Sequence, residues 1–235
     1  MTIAPTVTFG LPRGPDWISG VDRSGAIRLP LLVIAAACAA AVAGLTVLVR
    51  TTPYIALDDA VAKAIQSLDL GPLAAPFPFF RWAGGPGGPY MAAATIALVL
   101  LFNRRAWLLA ILAIAGGVWY EALLVLAQRP RPTADQVLRI TEHPGATSYP
   151  SGHVIFLTIN LAVLVLCIGH RYLPTKGQVI AWAITGAIAL LVAISRVYAG
   201  THWPLDVIAS LLVVVGWLCL VVSIRAISDP AFRKN

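Results

Sequence analysis

Residues 29–49 read LPLLVIAAACAAAVAGLTVLV, with no charged side chain between Arg28 and Arg50. About 20 apolar residues in a helix cross the hydrocarbon core of a bilayer, so this run predicts a membrane span. Working outward along the chain, further apolar runs at about 90–102, 105–127, 153–170, 178–194 and 207–226 predict five more. The second is the shortest, ending at Asn103, and reaches full length only if the Gly/Pro segment before it also enters the membrane. Composition agrees: 59% of the residues are hydrophobic and 11% charged, against roughly half and a quarter in a soluble domain. Every long run can satisfy its backbone as helix, and none alternates as a membrane barrel strand does. The expected fold is all-α: a six-span transmembrane helical bundle with an extracytoplasmic interfacial helix. There is no internal repeat, so one membrane domain at 29–226 is expected, flanked by cytoplasmic segments 1–28 and 227–235. The mixed residues before the first run do not have the form of a cleaved signal peptide, and that span is read as retained.

The formal charge of +7 would suggest nucleic acid in a soluble protein. Here it is explained by basic loops on the cytoplasmic side, so no nucleic-acid partner is expected. Six spans put Arg13, Arg23, Arg28, Arg104, Arg105, Arg171, Lys176, Arg225, Arg233 and Lys234 on one side, ten of the 17 basic residues. That side is read as cytoplasmic, which sends the segments at about 50–89, 128–152 and 195–206 outward. In the first of these, Leu, Ile and Val spacing around Asp58 and Asp59 predicts an amphipathic helix at the interface. The tract from Gly71 to Pro89 reads as loop. Cys38, Cys167 and Cys219 lie singly in apolar runs, which argues for packing residues and against a zinc site or a disulfide framework.

Polar residues gather in two of the outer segments. One begins Gln128-Arg129-Pro130-Arg131-Pro132 and ends Tyr149-Pro150-Ser151-Gly152-His153; the other runs from Ser195-Arg196 through His202 to Asp206. Arginine offers a fork of donors that matches phosphate oxygens. Ser151 and the N–H after Pro150 add donors, Gly152 allows close approach of an anion, and a helix starting near Ser151 would itself favour one. Of two histidines, one can attack phosphorus while the other protonates the leaving group. If the last helix begins near Pro204, Asp206 lies one turn beyond His202, where it would hold one ring nitrogen protonated and free the other.

These residues resemble the type 2 phosphatidic acid phosphatase superfamily, the lipid phosphate phosphatases. The family pattern is Lys, six residues, Arg-Pro; then Pro-Ser-Gly-His; then Ser-Arg, five residues, His, three residues, Asp. The second motif is complete at Pro150–His153 and the third at Ser195, Arg196, His202 and Asp206, while the first is half present at Arg131-Pro132. The resemblance implies a metal-independent phosphatase without cofactors, acting on a membrane lipid phosphate or diphosphate of the undecaprenyl diphosphate, phosphatidylglycerophosphate or phosphatidate class, from an outward-facing site in the cell membrane. It implies that His202 forms a phosphohistidine, that Asp206 orients it, that His153 serves as proton donor and later activates water, and that Arg131, Ser151, Gly152 and Arg196 bind the phosphoryl oxygens.

The departure is at Leu124, where the family has its lysine. Three outcomes stay open: Arg129 or Arg139 substitutes, the cradle is weaker or its preference altered, or the protein is an impaired, lipid-phosphate-binding relative. Retention of the nucleophile, its acid and the proton donor favours an active enzyme. A phosphotransferase using the same intermediate is the alternative within catalysis. Glu121, a charge inside an apolar run, is a further candidate. It shares a helical face with Leu124, Gln128 and Arg131 if the helix runs that far, and could pair with a site arginine or lie outside the site. Oligomeric state is not readable.

Overall fold

The computed structural model describes residues 25–142 and 144–233. Most of the expected 1–28 segment, with Arg13 and Arg23, and Lys234 in the tail lie outside the described residues. The regular structure of the described residues is helical, apart from two isolated bridges. Helix α1 (Leu29–Thr51) is followed by α2 (Ala56–Ser67), α3 (Phe77–Gly84), α4 (Gly88–Asn103), α5 (Trp107–Ile114) and α6 (Val118–Ala127). After the irregular segment 128–151 come α7 (Gly152–Leu164, continued by a π-turn to Tyr172), α8 (Thr175–Tyr198), α9 (Pro204–Ser223) and α10 (Arg225–Phe232). Proline stands in the first turn of α1, α3, α4 and α9, where its fixed φ and missing N–H cost nothing. Helix α6 stops at Gln128, which adopts φ 49°, ahead of Pro130.

Among the described residues, five helical stretches are long and apolar enough to cross a membrane: Leu29–Thr51, Gly88–Ala127, Gly152–Tyr172, Thr175–Tyr198 and Pro204–Ser223. The protein is therefore an integral membrane protein. The expected second and third spans fall together in the one helical run Gly88–Ala127, so the count by length and composition is five. Large apolar side chains cover the exterior, among them Leu57, Leu101 and Val118, as a lipid-facing surface requires. Lipid tails are as apolar as leucine, so close packing rather than escape from water joins the helices. The α1–α9 pair illustrates this: a Cβ added at Gly216 would lie 2.8 Å from Cys38 Cβ.

One expectation about the outer segments changes, and another gains detail. The tract from Gly71 is not only loop; it contains α3, whose Phe80 and Ala83 pack with Val154, Leu157 and Trp203 beneath the polar end of the bundle. Helix α2 forms where an amphipathic helix was expected, and its polar face turns inward. Asp58, Ala62 and Gln66, at i, i+4 and i+8, are buried, while Leu57 is exposed. Gln66 is fully buried and clamps both polar segments: its amide donates to the Arg139 and Val197 carbonyls at 3.0 Å each, and its oxygen accepts from Leu138 N–H at 2.8 Å.

Candidate active site

The polar residues of the two segments converge at the start of α7 and α9. His202 sits in the turn between α8 and α9, made possible by Gly200 at φ 73°. It is nearly fully buried. Its Nδ1 lies 2.7 Å from the Ser148 carbonyl, so Nδ1 carries the proton and Nε2 presents its lone pair, with Arg131 Nη1 3.4 Å away. Asp206 Oδ2 is 3.7 Å from Nδ1, an electrostatic contact rather than a hydrogen bond. The expectation that Asp206 holds this nitrogen protonated is thus refined: the Ser148 carbonyl accepts from Nδ1, and Asp206 supports the ring by charge while accepting from Trp203 N–H at 2.9 Å. Burial pulls the His202 imidazole below the ordinary histidine value, with the Asp206 contact opposing. The ring is neutral at pH 7, the form a nucleophile needs.

Behind Asp206 lies a buried charge chain. Arg129 is fully buried; Nη1 donates to Asp206 Oδ1 at 2.8 Å, Nη2 to Asp58 Oδ2 at 2.5 Å and Nε to the Pro53 carbonyl at 3.0 Å. The guanidinium also lies 5.4 Å from the Trp203 ring centre. Asp58 Oδ1 accepts from Leu205 N–H at 2.9 Å in the first turn of α9. Arg129 is committed to carboxylates and has no fork left for phosphate. Arg139 is committed too, donating to the Gln66 carbonyl at 2.5 Å and stacking 4.3 Å from the Tyr198 ring centre. These contacts argue against either as a stand-in for the lysine absent at Leu124.

Arg131 is held by the Thr201 and Gly145 carbonyls, each at 2.5 Å. Burial lowers its pKa, but a guanidinium remains charged. Arg196 is buried in the last turn of α8, and its Nη1 lies 3.1 Å from Glu142 Oε2. Helix α7 begins at Gly152, and its ladder starts with Ile155 N–H to the Ser151 carbonyl at 3.1 Å. The Gly152, His153 and Val154 N–H groups therefore head the helix. The Ser151 N–H is not available as expected, because it donates to Ser210 Oγ at 2.7 Å. The Ser151 hydroxyl, however, is buried without a hydrogen-bond partner among the described residues, a donor that an incoming anion would satisfy. His153 is half-buried, with Nε2 3.2 Å from the Arg81 carbonyl. It lies close to Arg196, Arg131 and His202. A Cβ at Gly84 would come within 2.7 Å of the His153 ring, so α3 packs directly on this imidazole. Gly152 is covered by Tyr120, which a Cβ there would meet at 3.1 Å.

Glu121 is exposed and makes no ion pair among the described residues. Leu124 is half-buried on α6, and the end of that helix at Ala127 breaks the face it was expected to share with Arg131. Sequence reasoning missed Asp58, Ser148, Glu142 and Arg81. Only Asp58 left a signal, the polar and small residues Asp58, Ala62 and Gln66 repeating at helical spacing.

The class of the protein is now defined: a helical membrane protein in which His202, Asp206, Arg129, Arg131 and Arg196 gather about the starts of α7 and α9. Within that class the chain belongs to the PAP2 superfamily, which it matches over residues 104–230. It is 33% identical over 137 residues to an undecaprenyl-diphosphatase of Sulfolobus acidocaldarius, covering 56% of this chain and 59% of that protein. It is 38% identical over 71 residues to phosphatidylglycerophosphatase B of Bacillus subtilis, covering 28% and 33%. The chain thus spans less than two thirds of the length of these curated relatives. Among solved structures it is similar to the first transmembrane PAP2 type phosphatidylglycerolphosphate phosphatase from Bacillus subtilis, with a TM-score of 0.64 at 21% identity over 79% of this chain and 94% of that one. That likeness is one of fold.

Proposed function

We propose that the protein is a membrane lipid phosphatase that hydrolyses a lipid phosphate or diphosphate through a phosphohistidine on His202. The observation that carries the proposal is the state of that ring: Nδ1–H held by Ser148, Nε2 unprotonated and directed to the Arg131 guanidinium. A phosphoryl group beside Arg131 would meet Nε2 in line. Arg131, Arg196, the Ser151 hydroxyl and the Gly152 N–H would hold its three oxygens as charge spreads over them in the transition state. Asp206 would stabilise the imidazolium as the P–N bond forms. His153 would give a proton to the departing lipid oxygen, then take one from the water that hydrolyses the P–N bond. No metal is needed for these steps. The substrate class follows the relatives: an undecaprenyl-type diphosphate or phosphatidylglycerophosphate, with phosphatidate as a further candidate.

We also propose that the chain crosses the membrane six times, with this site on the outer side. A straight 40-residue helix would be about 60 Å long, twice the hydrocarbon thickness. The run Gly88–Ala127 is interrupted at Asn103, at φ −150°. The Asn103 amide donates to Cys167 and Ala231 carbonyls at 2.7 and 2.9 Å, whereas the Leu126 carbonyl accepts from Arg50 at the opposite end of α1. These contacts support a hairpin, with Arg104 and Arg105 at its cytoplasmic turn. The test is phosphate release from a panel of lipid phosphates by purified protein in detergent, with a chelator present and His202→Ala as control. Release by the parent and none by the variant is expected; equal release by both would overturn the proposal.

A further inference from the structure

The site contains a carboxylate that the reading above does not use. Glu142, in the irregular segment before α7, directs Oε2 at Arg196 Nη1 (3.1 Å) and, from the other side, at Arg81 Nε (3.6 Å). Its second oxygen is 3.4 Å from the same Arg196 nitrogen. One anionic oxygen between two guanidiniums marks a place built for an anion. Arg81 reaches it from α3, whose backbone is fixed on the other half of the site: the Arg81 carbonyl lies 3.2 Å from His153 Nε2, and Gly84 packs on that ring. Arg81 is therefore anchored at its backbone while its side chain is 61% exposed and free to move. Arg196, by contrast, is 1% exposed and would be a buried unpaired charge without Glu142.

We propose that Arg81 supplies the third cation of the phosphate cradle, in place of the lysine absent at Leu124, and that Glu142 is a place-holder displaced when the phosphoryl group binds. The inference rests on the phosphatase reading and deepens it. Glu142 neutralises Arg196 in the empty site. An arriving phosphate carries more charge and more acceptor oxygens, and the two anions repel, so Glu142 swings out on its loop while Arg81 closes from 3.6 Å onto a phosphate oxygen. Binding is then a competition, and the carboxylate weakens apparent affinity for every phosphate ligand.

The experiment combines ligand binding with kinetics. Thermal shift in detergent is titrated with inorganic phosphate and with orthovanadate for the parent, Glu142→Gln, Arg81→Ala and Arg81→Lys, and KM and kcat are measured on the best lipid phosphate. Glu142→Gln should bind both anions and the lipid on the order of tenfold more tightly, since it keeps the hydrogen bond and removes the competing charge. Arg81→Ala should raise KM and both anion constants on the order of tenfold or more, and Arg81→Lys should recover part of the loss. Weaker anion binding in Glu142→Gln would make Glu142 a clamp for Arg196 and overturn the place-holder; unchanged constants in Arg81→Ala would remove Arg81 from the cradle. If the parent binds the anions in the expected order but releases no phosphate from any lipid, the proposed activity fails while the cradle assignment stands.

Discussion

Arg129 is the residue whose replacement separates structure from substrate binding most sharply. Arg129→Ala strands two buried carboxylates, Asp58 at 2.5 Å and Asp206 at 2.8 Å from the lost nitrogens, and removes the bond to the Pro53 carbonyl. Breaking a buried ion pair by deleting one partner costs roughly 3–5 kcal/mol. In a chain of this size each kcal/mol moves the melting temperature by about 2–4 °C, so the drop should be roughly 6–20 °C. The assay is thermal unfolding in detergent, followed by tryptophan fluorescence, with phosphate release on the same samples below the transition. Arg129→Met combined with Asp58→Asn should lose less than the sum of the single changes, because it leaves one stranded carboxylate instead of two. A melting point within a degree of the parent, joined to a raised KM, would refute the reasoning and make Arg129 a phosphate ligand after all.

Further expectations concern the ring positions and pH. Gly84→Val puts side-chain atoms into the His153 ring, 2.7 Å from an added Cβ, and should cut kcat at least about a hundredfold through displacement of the proton donor; unchanged kcat would show that the imidazole moves freely. Leu124→Lys should raise phosphatase activity or leave it unchanged, and a steep drop would show that the cavity needs an apolar residue there. His202 binds its proton below the ordinary value because it is buried. The unfolded chain takes up that proton near pH 6.5 and the folded chain only at lower pH, so stability should fall as pH drops through about 6.5 towards the folded value. The acid limb of kcat/KM should likewise lie below about 6.5, and a limb above 7 would contradict the assignment of a neutral nucleophile.

The spans and the site motifs were legible because each leaves a local mark. Apolar runs announce helices that lipid must surround, and Pro204 announced the start of α9. The break at Asn103-Arg104-Arg105 was legible too, although the turn there is so tight that Gly88–Ala127 forms one helical run by length and composition. The spacing marked α2 as amphipathic but does not say which face is buried: Leu57 is exposed, while Asp58 is buried because it accepts from Arg129 and from Leu205 N–H. Nor could the partners of the two spare arginines be read. Arg129 and Arg139 looked like free cations near a phosphate motif, yet the acceptors that occupy them, Asp58 and the Gln66 carbonyl, lie some seventy residues earlier in the chain. The carbonyl of Ser148, which sets the His202 tautomer, carries no signature at all, since any residue supplies one.

The central claim is a covalent P–N bond at Nε2 of His202. Its direct test is acid-sensitive, alkali-stable phosphoryl label on the protein after rapid quench with a 32P-labelled lipid phosphate, located by mass spectrometry. The account predicts label on His202 in the parent, label that both forms and clears more slowly in His153→Ala, where the leaving oxygen loses its proton donor and water its base, and none in His202→Ala. Turnover by the parent at full rate with no protein-bound phosphate at any quench time, or label residing on another residue, would contradict it.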